Sequence, residues 1–199
     1  MCYIKTIAPE EATGAVQALY EQQQGDLDYL PNYARVFCHR PQVMQAWADL
    51  QRAIRQEMDT RTYSLITLAA ALAIRSSYCA LAHGRKLLGR YFSEEELLAI
   101  IRDEDPSPLS AGERAMMHFA RKVALDSSSI TATDIHALRD AGFSEARIFD
   151  IAAAAAARCF FAKLPDALGA RPDAALGDLP PRLRELLAVG RPAATAPLV

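Results

Sequence analysis

The run Tyr63-Ser64-Leu65-Ile66-Thr67-Leu68-Ala69-Ala70-Ala71-Leu72-Ala73-Ile74 constrains this chain more than any other stretch. It is apolar nearly all round, so as a helix it has no solvent face and belongs at the centre of a domain. Asp59-Thr60 supplies an N-cap immediately before it. Its apolar part, Leu65 to Ile74, is about half of the roughly 20 residues that a membrane-spanning helix needs, and a second such stretch, Ile151 to Ala157, is shorter still. Both read as buried helices.

The flanking segments supply partners for that centre. Pro9 to Gln24 spaces Ala12, Ala15, Val16, Leu19 and Tyr20 as one helical face, and Pro41 opens a helix with Val43, Met44, Trp47, Leu50 and Ile54 on one side. Ser93 before Glu94-Glu95-Glu96 and Ser110-Ala111-Gly112-Glu113 are helix starts of the capping-box kind. Thr131 or Thr133 caps the next helix, and a long Ala-rich helix from Ile148 to Phe161 is expected to kink or end at Pro165, with Gly169 a later stop. No segment alternates as a strand does, so the fold expected is all-α. From Ala170 the composition turns to Pro, Ala, Gly and Arg, which divides the chain into a helical domain, 1–169, and a tail, 170–199, with one short helix. That tail is expected to dock on a neighbouring subunit or to be mobile.

Composition narrows the partners. A chain of 199 residues with 51% hydrophobic content can bury one substantial core. A net charge of -2, spread along the length, gives no footprint for nucleic acid or an anionic membrane. The N-terminus lacks a secretory pattern, which points to the cytoplasm. Cys2, Cys38, Cys79 and Cys159 are widely spaced, form no CxxC pair and match no zinc spacing, so free thiols and no metal or other cofactor are expected.

Chemistry and structure converge at Arg75-Ser76-Ser77-Tyr78-Cys79-Ala80-Leu81-Ala82-His83. On a helix, Ser76, Cys79 and His83 fall on one stripe, an oxygen, a thiol and an imidazole. A thiol reacts as thiolate, which a helix N-terminus and a nearby imidazole both favour. The reading assigns Cys79 as attacking thiol, His83 as acid/base, and Ser76 as cap and donor to the sulfur. Cys79 and His83 as ordinary packing residues is the competing reading, since cysteine is among the most buried residue types.

The run from Thr60 to Leu88 resembles the core motif of the carboxymuconolactone decarboxylase and alkyl hydroperoxidase D-like family, and the chain to about Gly169 is similar to its peroxidase-related branch. Pro9-Glu10-Glu11-Ala12-Thr13-Gly14, Leu30-Pro31-Asn32, Leu65 to His83, Ala141-Gly142-Phe143-Ser144 and Asp166-Ala167-Leu168-Gly169 carry that likeness in order. The resemblance implies a helical bundle that assembles as a dimer, trimer or hexamer around small-molecule sites. It lays Cys79 and His83 on the second cysteine and the histidine of the redox motif, with Ser76 at the first cysteine and Ser64 at the glutamate. A self-contained dithiol cycle is then impossible. What it leaves open is peroxide reduction by a single cysteine with an external thiol reductant. A non-redox lyase or isomerase acting on a carboxylated substrate, with Arg75 or Arg158 as cationic anchor, and a non-catalytic descendant of the fold are the alternatives.

Overall fold

A computed structural model of the protein describes residues 2–194. Among these residues ten α-helices follow one another: α1 (Gly14–Leu27), α2 (Asn32–Val36), α3 (Pro41–Ile54), α4 (Thr60–Ala73), α5 (Ser77–Leu87), α6 (Glu94–Arg102), α7 (Ala111–Asp126), α8 (Ala132–Asp140), α9 (Glu145–Ala167) and α10 (Pro181–Leu187). The fold is all-α, without strands among the described residues. None of these helices is long and apolar enough to cross a membrane.

α4 is the axis of the bundle, packed by α5, α7 and α9, and every residue from Tyr63 to Ala71 is buried. This follows from its sequence, because a helix with no polar face leaves no side for water. The Asp59 carboxylate accepts from the Thr62 N–H at 2.9 Å and opens the helix, a cap typically worth about 1 kcal/mol. Ser93 and Ser110 open α6 and α7 with complete capping boxes.

α4 and α9 close with the same device. At the end of α4 the Ser76 N–H reaches back to the Ala71 carbonyl and the Arg75 N–H to Leu72, with Arg75 left-handed at φ 58°. At the end of α9 the Ala170 N–H bonds Pro165 and the Gly169 N–H bonds Asp166, with Gly169 at φ 82°. Both are Schellman turns. The long helix therefore does not stop at Pro165. It passes through that proline in its last turns and ends where glycine permits the left-handed turn.

Residues 170–194 do not hang as a tail awaiting a neighbour. They fold back on their own chain: α10 packs against α5 and α6, and Leu183 and Leu187 are wholly buried there. The Arg85 guanidinium donates to the Ala175 carbonyl at 2.8 Å, and the Gly190 N–H donates to Ser77 Oγ at 2.8 Å. Gly190 is needed at that approach, because a Cβ would lie 2.1 Å from the Arg75 carbonyl oxygen. Apolar residues spaced along an otherwise Pro-rich stretch are what hold it down. Residues 195–199, the last of the Pro- and Ala-rich segment that begins at Ala170, lie outside the described residues.

Candidate active site

The Schellman turn at Arg75 starts α5 at a fixed angle to α4, and the four-residue spacing then sets Cys79 and His83 on the same wall of a cavity of about 1020 Å³. α4 contributes Tyr63 to that cavity, α3 Trp47 and Arg55 at its end, α9 Arg158 and Phe161, and the folded-back segment Asp173.

Arg158 is the group around which the site is built. It is 4% exposed, in the middle of an Ala-rich helix, with no carboxylate bound to it among the described residues. Its guanidinium donates to Cys79 Sγ at 3.7 Å and to the Tyr63 hydroxyl at 2.9 Å. Its carbon lies 5.4 Å from the ring centres of Trp47 and Phe161 and 5.9 Å from that of Tyr63, within cation–π range. Burial alone would push the guanidinium pKa down; the negative charge that Cys79 and Tyr63 can carry outweighs this and holds it above the ordinary arginine value. A buried cation bonded to sulfur is thus the electrostatic counterpart that thiol chemistry at Cys79 needs.

His83 lies edge-on to the Tyr63 ring, 5.8 Å between centres, with Nδ1 buried and unpartnered. Burial, then the charges of Arg158, Lys86 and Arg55, push its pKa well below the usual value, so the ring is neutral at neutral pH. It can accept a proton or donate one N–H bond, but holds no proton in reserve as an imidazolium. Cys79 and His83 share the cavity without a hydrogen bond to each other.

Ser76 is elsewhere. It takes the N-cap backbone position of α5, but its hydroxyl makes no cap bond and does not line the cavity. That hydroxyl is buried and turned toward Asp166, without closing a hydrogen bond. The donor to the sulfur is the Arg158 guanidinium and not Ser76, whose hydroxyl is directed to Asp166 near the end of α9. Ser64 is likewise buried away from the cavity, with its hydroxyl unpartnered. Arg75 is also apart from it, donating to the Val189 carbonyl at 3.1 Å on the surface.

The other thiols do not reach Cys79. Cys159 faces α7, with Sγ 3.9 Å from the Ala124 carbonyl oxygen, and Cys38 accepts from the Ile7 N–H at 3.4 Å. All four cysteines are free. No cluster of three metal-binding side chains occurs among the described residues.

Two features escaped sequence reasoning. Arg158 stood out only as one of two anchors, although a lone arginine in an apolar helix was the signal. Asp173, in the presumed tail, carried none. Its carboxylate accepts from the Asn32 N–H at 2.7 Å, from Tyr78 at 2.6 Å and from Tyr29 at 3.2 Å, fastening the C-terminal segment to α2 and α5 at the cavity wall. Burial and the charge of Asp173 hold the Tyr78 phenol well above its usual pKa, so it stays the donor.

The bundle has the alkylhydroperoxidase-like all-α fold. Residues 41–122, from α3 into α7, match the carboxymuconolactone decarboxylase family, and this segment contains Tyr63, Cys79 and His83 but neither Arg158 nor Asp173. No curated protein matches the chain in sequence. Among solved structures, an uncharacterized peroxidase-related protein with the alkylhydroperoxidase AhpD core, from Ralstonia eutropha JMP134, is 22% identical at a TM-score of 0.73, over 96% of this chain and 98% of its own. A peroxidase-related protein from Silicibacter sp. TM1040 is 21% identical at a TM-score of 0.71, over 88% and 91%. A cysteine-to-alanine variant of the debrominase Bmp8, in complex with 2,3,4-tribromopyrrole, is 18% identical at a TM-score of 0.72, over 91% and 96%. At these identities the likeness is one of fold.

Proposed function

We propose that Cys79 is the reacting thiol of a single-cysteine enzyme that reduces an organic hydroperoxide. The observation that carries this is the buried Arg158 guanidinium, without a carboxylate, donating to Cys79 Sγ on the wall of a cavity. A packing role for Cys79 needs neither the cation nor the cavity. The thiolate attacks the distal peroxide oxygen; the O–O bond breaks, a proton goes to the departing alkoxide, and Cys79 is left as sulfenic acid beside an alcohol. An external thiol then condenses with the sulfenic acid, releasing water, and a second external thiol cleaves that mixed disulfide to restore Cys79. The external reductant enters because no second thiol lines the cavity. His83, being neutral, holds no extra proton to give: the proton lost by the Cys79 thiol as the thiolate forms is the one that reaches the departing alkoxide, carried by water or relayed through the Tyr63 hydroxyl and the neutral His83 ring.

Turnover of cumene hydroperoxide with excess dithiol tests the reading. Cys79→Ala is expected to lose at least about 100-fold in rate; unchanged turnover would remove Cys79 from the chemistry.

The same proposal includes self-association. Phe149 and Leu125 are 72% and 69% exposed on α9 and α7, apolar area that a second copy would cover. Light scattering that returns a monomer would count against it.

The alternative of thiol-dependent dehalogenation draws on one feature, a cavity walled by Trp47, Tyr63 and Phe161, which suits a flat ring. Release of bromide from 2,3,4-tribromopyrrole in the presence of dithiol would favour it over peroxide reduction.

A further inference from the structure

The cavity is far more basic than the chain. The whole sequence carries a net charge of -2, yet Arg52, Arg55, Arg85, Lys86 and Arg158 line this one space against a single carboxylate, Asp173. That carboxylate is already committed to Asn32, Tyr78 and Tyr29. Two of the cations are also spoken for: Arg52 pairs with Asp49, and Arg85 holds the Ala175 carbonyl. Arg158 serves Cys79 and Tyr63. Arg55 and Lys86 remain, neither within ion-pair distance of a carboxylate among the described residues.

Arg55 lines the cavity against Tyr63. Its guanidinium carbon lies 4.7 Å from the centre of that ring, within cation–π range, and its Nε is buried with no hydrogen-bond partner. Buried donors are nearly always satisfied, and an arginine fork left open beside a cavity fits the two oxygens of an oxyanion. The Arg158 Nε and the His83 Nδ1, on the same cavity, are unpartnered as well. Lys86 lies one helical turn beyond Ala82 and His83 on α5, at the exposed rim, where it adds charge along the way in.

We propose that this cavity takes an organic carboxylate whose oxygens are bound by Arg55 and Lys86 and whose apolar body lies against Trp47, Tyr63 and Phe161, with the reacting end directed to Cys79. The proposal rests on the thiol site described above and names the chemical class of its substrate. Aromatic walls select a flat or branched apolar body, and the fork of Arg55 selects its acid group. Neither Arg55 nor Lys86 is needed for peroxide chemistry itself, since neither bonds Cys79.

Trp47 is the only tryptophan in the chain and it lines the cavity, so its fluorescence reports occupancy directly. Titration of the full-length Cys79→Ala protein with 4-isopropylbenzoate, and with the neutral 4-isopropylbenzamide, separates binding from reaction. The carboxylate is expected to change Trp47 emission saturably, the amide to bind at least about tenfold more weakly, the difference shrinking as salt is raised. Arg55→Gln and the exposed Lys86→Gln should each weaken the carboxylate by about tenfold, and Arg55→Lys should recover much of the loss. Equal binding of acid and amide, or a carboxylate affinity untouched by Lys86→Gln in a folded protein, overturns the proposal. The two readings fail separately. Carboxylate binding without any hydroperoxide turnover in the unmutated protein removes the peroxidase reading and leaves this one. Turnover of cumene hydroperoxide with no preference for a carboxylated hydroperoxide does the reverse.

Discussion

Two helices of this protein carry nearly the same string and put its arginine to opposite uses. Leu68-Ala69-Ala70-Ala71-Leu72-Ala73-Ile74-Arg75 in α4 parallels Ile151-Ala152-Ala153-Ala154-Ala155-Ala156-Ala157-Arg158 in α9. In α4 the helix stops at Ala73, so Arg75 falls at the left-handed residue of the closing turn and its side chain runs out over the surface to Val189. In α9 the helix continues to Ala167, so Arg158 keeps a helical conformation and its side chain is driven inward among Trp47, Tyr63, Phe161 and Cys79. What decides between a surface anchor and a buried cation on the cavity wall is where the helix ends, and not the local string.

The sharpest way to break this contrast is to remove each arginine's charge. Arg158→Met keeps the volume of the stem and deletes the donor to Cys79 and Tyr63. Hydroperoxide turnover should fall by about 100-fold or more, and alkylation of Cys79 by iodoacetamide, followed by mass spectrometry of its peptide, should slow with it. Stability should hold or rise, because a buried cation without a carboxylate is replaced by an apolar side chain of similar reach. A variant that keeps its turnover would show that Arg158 is scaffold after all. A variant that loses both turnover and fold would make it structural, with the thiol dependent on it only indirectly.

The limits of reading this chain as a string follow from the same contrast. The core was legible: a run with no polar face must be central, and α4 is. The caps at Asp59, Ser93 and Ser110 were legible because the interaction is local, within three residues. Cys79 and His83 were placed on one wall by helical spacing alone. Ser76 fell outside that logic because an N-cap residue obeys the turn before the helix rather than the helical stripe. Asp173 was illegible because its partners, Asn32 and Tyr78, lie about 141 and 95 residues away in sequence. The fold-back of 170–194 was hidden by its composition, in which two buried leucines, Leu183 and Leu187, outweigh the surrounding prolines and glycines.

His83 sharpens the comparison from the side of the cavity. The burial and the neighbouring cations that keep it neutral also make its protonation unfavourable in the folded state. In the unfolded chain the imidazole takes up a proton as pH falls through about 6.5, whereas the folded one resists it. The unfolded state then binds more protons, so stability is lost as pH drops below that value, by up to about 1.4 kcal/mol per pH unit. Above it the contribution is constant. Urea unfolding from pH 8 to pH 5 should therefore give a steeper decline for the unmutated protein than for His83→Gln, with the two curves parallel above pH 7. Parallel curves throughout would mean that His83 titrates normally and that the cations around it are screened.

The smallest effect is expected at Arg75, where the contrast is purely one of backbone. α9 closes its turn with Gly169 and α8 with Gly142, both at positive φ; α4 alone of these three puts a side chain in that seat. A non-glycine residue in the left-handed region costs roughly 1 kcal/mol, which Arg75→Gly would relieve. The substitution also gives up the exposed hydrogen bond to the Val189 carbonyl, a contribution of about 0.5–1 kcal/mol, and adds backbone freedom to the unfolded chain. The three nearly cancel. Stability should shift by no more than about 0.5 kcal/mol in denaturant unfolding, and turnover should stay as it was, since Arg75 is outside the cavity. A large loss of stability would show that the bond to Val189, and with it the anchoring of residues 188–190 over the start of α5, matters more than the strain at φ 58°. Lost turnover without lost stability would be the more instructive failure, because it would tie the surface turn to the position of Cys79 and make the two arginines parts of one device.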